Sequence, residues 1–187
     1  FGGKFGIVDA IFADGFARFR NALAASLDHV AGTDGHALVL APAYRSWALA
    51  NPSVYQVMFD AAIPGFSPSL DTLMVAAGSF EVVVDAVIYD QSQGLLRAGD
   101  PSTIAWVLWG TVHGMVMLEI AEMTPPISVV SAEEAFAEAT AAVLRANLSM
   151  PAVDLARETA RVLLGSARLG RKVALVMDAA IATLLDR

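Results

Sequence analysis

The sequence contains no cysteine, which excludes disulfides, thiolate metal sites and a cysteine nucleophile. Histidine is scarce too: only His29, His36 and His113 occur, and no two of them stand at a ligand spacing such as i, i+4 on one helix. No metal and no cofactor is expected. Lysine occurs twice against ten arginines, and the net charge of −7 leaves this stretch without the basic face that phosphate binding requires. No serine sits in a nucleophile elbow and no glycine-rich phosphate loop follows a strand, so no catalytic residue is assigned and no enzyme is expected. Glu81 and Asp85 lie four apart and could pair as acid and base, but without a neighbouring motif they read as a solvated helix face. Long apolar runs are also missing. Asp85, Asp90, His113 and Glu119 interrupt the two longest, which argues for a cytoplasmic chain with no membrane partner.

What is present is a short, very apolar chain. Its 187 residues suit one domain with a substantial core, and 56% hydrophobic against 17% charged residues is high for a globular protein. Some of that surface is expected to meet a partner or a ligand.

The apolar periodicity is helical throughout, and no strand-like alternation competes with it. Phe5, Val8, Phe12, Phe16, Phe19 and Leu23 form one stripe of a helix over about residues 3 to 28, ended by a glycine-rich turn at 31 to 35. A second helix is predicted from His36 to Ala50, with Pro42 near its start. Asn51-Pro52 reads as an N-cap and first helical position for a short helix carrying Tyr55, Met58 and Phe59. The next helix begins after Ser67 or Ser69 and runs to about Gln93, with Leu73, Ala77, Phe80, Val84 and Val87 on one side. Asp100-Pro101 caps a segment to Met123 that is apolar nearly all round, as expected of a central helix buried on several sides. Ser131 and Glu134 make a capping box for a helix to about Leu148. Two further helical patterns fill residues 151 to 187, where six basic residues face four acidic ones; Val173, Val176, Met177, Ile181 and Leu184 are expected to pack on the body or a dimer mate.

The informative segment runs from Trp106 to Glu119. Trp109, His113 and Met117 stack at i, i+4, i+8, while Gly110 and Gly114 bare the adjacent backbone to a close approach. His113 is the one polar handle there. It reads either as a group that orients a ligand or as a core residue satisfied by a neighbouring backbone group.

Trp109-Gly110 with His113-Gly114 and Leu118-Glu119 resembles the tryptophan-histidine-glycine signature in the C-terminal domains of one branch of the TetR-family repressors. Residues 44 to 59 are similar to the segment that usually precedes that signature. Phe1 to Val8 resembles the join where the family's helix-turn-helix hands over to its fourth helix. The resemblance implies an all-α bundle of about six to seven helices, with two extra C-terminal helices. It divides the chain into a remnant of the DNA-binding domain at 1–4, a ligand-binding and dimerisation domain at 5–148, and an extension at 151–187. Family members of this kind bind a DNA operator as homodimers and release it when a small molecule enters the helical body. On that reading most of the helix-turn-helix lies outside this chain and Lys4 is a retained phosphate contact. The ligand is small and hydrophobic, and it is lined by Trp47, Tyr55, Met58, Phe59, Phe80, Trp109, His113 and Met117. The dimer interface is expected around Val116 to Met123 and the helix from Ser131 to Leu148, where Ala135, Ala139 and Ala142 permit a close crossing. The alternative is a helical dimerisation or adaptor module that binds protein partners without a ligand.

Overall fold

A computed structural model describes residues 3–28, 30, 35–59, 64–123 and 131–146. The expected helices of residues 151 to 187 therefore lie outside the described residues. Six α-helices and no strands occur among those described: α1 (Lys4–Leu27), α2 (His36–Ala50), α3 (Pro52–Phe59), α4 (Leu70–Ser92), α5 (Pro101–Ile120) and α6 (Ala132–Ala146).

The long α1 packs on α4, α2 and α3, whereas α5 packs on α6, α4 and α2. The phenylalanine stripe explains the first arrangement, since Val8, Phe12, Phe16, Phe19 and Leu23 are all buried. Phe5 stays half exposed at the edge, against the ring of Phe66. Gly15 lets α1 and α3 close on each other. A Cβ there would lie 2.7 Å from Met58 Sδ and 2.9 Å from Val54 Cγ1, closer than atoms can pack.

Local chemistry caps three of the helices, α4, α5 and α6. Ser69 Oγ accepts from Thr72 N at the start of α4, Asp100 caps α5 by accepting from Thr103 N, and the Ser131/Glu134 capping box closes in both directions. Asn51, expected to cap α3, turns back instead. Its Nδ2 donates to the Trp47 carbonyl at the end of α2, and its Oδ1 accepts from Arg18. Helix α2 has no side-chain cap of its own. The carboxylate of Asp90 supplies it from 54 residues away, accepting from His36 N at 2.8 Å and from Ala37 N at 2.9 Å.

Two expectations about faces are corrected. On α4, Leu73 and Ala77 point outward, and the inner face is Thr72, Gly78, Ser79, Val83, Ala86, Val87 and Asp90. Small and polar side chains win there because α1 lies close: Arg20 crosses Gly78 so tightly that a Cβ would sit 3.2 Å from its Nη1. On α5, Ile104, Ala105, Leu108, Val112 and Val116 are buried, but Trp106 is 69% exposed, and Val107 and Leu118 are about half exposed. The helix is thus apolar all round without being enclosed all round. By length and composition alone α4 and α5 could each cross a bilayer, despite the charged residues within them. Both nevertheless pack side by side within the bundle and against α2.

Candidate functional site

Phe19, on α1, is fully buried at the hub of a ring cluster that draws on five helices. Around it α2 supplies Tyr44 at 4.8 Å between centroids and Trp47 at 5.0 Å, and α5 supplies Trp109 at 6.1 Å. Phe59 of α3 touches the same group and lies 4.7 Å from the His113 ring. Phe80 of α4 closes on Trp109 at 5.4 Å, edge to face, an arrangement that the ring quadrupoles favour.

Of the eight residues predicted to line a ligand site, six join this connected cluster: Trp47, Tyr55, Phe59, Phe80, Trp109 and His113. Met117 is half-buried on α5, one turn past His113, and packs against the core. Met58 is buried on the α1 side of α3, over Gly15, within the same hydrophobic core. Lys4 is the exposed first residue of α1. Sequence reasoning missed Tyr44 and Phe19. Phe19 was placed in the core stripe, and Tyr44 stands one helical turn before Trp47 within the segment similar to the family.

The polar centre of the cluster is a triangle. Tyr44 Oη lies 2.8 Å from Tyr55 Oη, Tyr55 Oη lies 2.6 Å from His113 Nδ1, and Tyr44 Oη lies 3.2 Å from the same nitrogen. Both tyrosine rings are buried, and burial pushes their hydroxyls well above the usual phenol range, so both stay neutral. Burial acts on His113 in the opposite sense and lowers its pKa below the ordinary 6.5, which favours a neutral imidazole. Beside the triangle, Arg45 clamps Glu119 with two bonds, Nε to Oε2 at 2.9 Å and Nη2 to Oε1 at 2.6 Å, and its guanidinium lies over the Phe136 ring. This ties α2 to α5 and α6 and consumes the charges on both partners.

The arrangement is thus a ring cluster whose polar centre is two neutral hydroxyls and an imidazole that burial keeps toward its neutral form. Phenols this hard to ionise are poor nucleophiles, and among the described residues no carboxylate bonds His113 to make it a stronger base. Among the described residues no group of three histidines, cysteines or carboxylates could hold a metal ion.

Comparison with protein families matches residues 38–144 to the Tetracyclin repressor-like, C-terminal domain. Comparison with curated proteins finds no match. Among solved structures, the chain is similar to a protein of unknown function from Rhodococcus sp. RHA1, with TM-score 0.69 and 25% identity over 80% of this chain and 75% of that one. It is also similar in fold to SCO4313, described as a candidate regulatory protein, with TM-score 0.64 and 24% identity over 78% of this chain and 75% of the other.

Proposed function

Because the chain belongs to the TetR family through its C-terminal domain, we propose that it is the ligand-sensing and dimerising body of a transcriptional regulator. Its operator would be bound through a helix-turn-helix domain preceding α1, with residues 1–4 at the join. The observation that carries this reading is the five-helix ring cluster closed around His113, whose contacts include α1 through Phe19. A small hydrophobic molecule entering beside Trp109 and Phe59 displaces rings that touch Phe19, and α1 carries the displacement to its N-terminus. Asp9 is placed to pass that movement between helices: its carboxylate accepts from Ser69 N, Ser69 Oγ and Thr72 Oγ1 at the start of α4. In a homodimer this changes the spacing of two DNA-reading domains, which decides whether successive half-sites can be contacted.

For the dimer we favour the open face of α5 together with α6. Val107, Gly110, Gly114 and Leu118 follow one another on that face, and a Cβ on either glycine would meet nothing within 4 Å among the described residues. Val116, earlier expected in the interface, is fully buried within the protomer and is excluded from it. Ala135 and Ala139 are half-buried on α6 and Ala142 is exposed. The same exposed surface would serve the adaptor alternative. Tryptophan fluorescence during titration with apolar aromatic probes separates the two readings: saturable quenching that Trp109→Leu diminishes supports a sensor, whereas no saturable binding favours an adaptor.

A further inference from the structure

We infer that the ligand of this site carries a neutral hydrogen-bond acceptor, such as a ketone, ester or lactone oxygen, on an apolar body, because the tyrosine triangle leaves His113 with a donor at Nε2. The inference rests on the ligand-sensing reading above and goes on to name the chemical class.

The argument is a count of protons. Two hydroxyls and Nδ1 form a closed triangle with edges of 2.8, 2.6 and 3.2 Å. With Nδ1 unprotonated, Tyr44 donates to Tyr55 Oη and Tyr55 donates to Nδ1 along the shortest edge, so both buried hydroxyls are satisfied. With a proton on Nδ1, three hydrogens meet only two acceptors, and one hydroxyl is left buried without an acceptor among the described residues. The imidazole therefore carries its proton on Nε2. That nitrogen has no hydrogen-bond partner among the described residues.

The surroundings select further. A cation finds no free carboxylate at Glu119, since both of its oxygens are bound by Arg45. An anion finds only a neutral imidazole, which does not offset its loss of hydration. A neutral acceptor oxygen suits Nε2–H, and the surrounding rings, Phe59 edge to face with Trp109 at 6.2 Å and tilted against His113 at 4.7 Å, suit an apolar body.

Two measurements on the intact chain test this. Long-range proton–nitrogen NMR of the histidine rings, with His113 assigned by its loss in His113→Gln, should show the proton on Nε2; a proton on Nδ1 overturns the inference. Fluorescence titration then compares acetylnaphthalene, its acceptor-free counterpart ethylnaphthalene, and naphthylethylammonium. The ketone should bind about tenfold more tightly than the hydrocarbon, as one satisfied buried donor is worth, and the cation more weakly than either. The preference for the ketone should shrink in His113→Phe. It should shrink also in the double variant Tyr44→Phe, Tyr55→Phe, which keeps every ring and frees Nδ1. Equal binding of ketone and hydrocarbon defeats the acceptor inference and leaves the sensor reading standing. Saturable binding of neither defeats the sensor reading and the inference with it.

Discussion

Replacing His113 with phenylalanine removes the acceptor of the Tyr55 hydroxyl, and that hydroxyl lies on a fully buried ring. The unliganded variant should lose about 1–3 kcal/mol, the cost of a buried unsatisfied donor, and should lose ligand response as well. Thermal unfolding without ligand checks the first effect. The sequence offered two exclusive roles for this residue; the geometry separates the two nitrogens, Nδ1 bonded within the core and Nε2 without a partner among the described residues. The pH dependence has a definite sign. Folded His113 gives up its proton more readily than the unfolded chain, whose value is the ordinary 6.5. Its contribution to stability is therefore complete above about 6.5 and is lost as pH falls from there through the lower folded value. Asp90 behaves differently. Burial raises its carboxyl above 3.8, although the amides of Ala37 and His36 and the charge of His36 pull it down. The folded state thus binds this proton more tightly, and the wild type's advantage over Asp90→Asn should shrink as pH rises from about 3.8 through the raised value. Urea unfolding of both proteins at several pH values tests it, and an advantage that grows with pH would refute the assignment. Asp90→Ala, which leaves two amides uncapped, should cost about 2–3 kcal/mol at neutral pH.

At the scale of elements, the contact between α1 and α3 depends on the absence of a side chain at Gly15. Gly15→Ala should destabilise by about 1–3 kcal/mol, because Val54 is stiff at χ1 and cannot yield even if Met58 does. The Arg45–Glu119 clamp gives a second test. Both side chains are only one-fifth exposed, so a double-mutant cycle should return a coupling above the roughly 0.2–1 kcal/mol of an exposed pair. Helices were the legible part of this sequence. The bounds of α2 and the caps at Ser69, Asp100 and Ser131 follow from residues within a few positions of each helix end. The faces were less legible. Periodicity placed Leu73 and Ala77 on one side with Phe80, Val84 and Val87 because it weighs hydrophobicity, whereas α1 approaches α4 closely enough to demand glycine, serine and threonine on the inner face. Nor can periodicity show that Asn51 would face backward, or that a cap for α2 would come from the far end of α4. Six of the eight predicted site residues meet because aromatic side chains at helical spacing have few other places to go. Tyr44 was missed because its role rests on two hydroxyls from different helices meeting one nitrogen.

For the whole molecule, the open face of α5 leads to a prediction about assembly. Gly110→Arg adds a long side chain where no described residue lies within 4 Å of a Cβ, so it should leave helix content and unfolding of the protomer unchanged while shifting sedimentation from dimer to monomer. A variant that remains a dimer would move the interface off this face. The cap that Asp90 provides to α2 has a consequence for how the protein opens. The amides of His36 and Ala37 are covered by a residue distant in the chain, not by the preceding turn of their own helix. Fraying of α2 alone would carry them away from Asp90, but so would any withdrawal of the C-terminal end of α4, even with α2 intact. Their hydrogen exchange therefore reports the separation of two elements, while amides further along α2 report the melting of one. If ligand binding draws the bundle together, exchange at these two positions should slow more than exchange in the middle of α2.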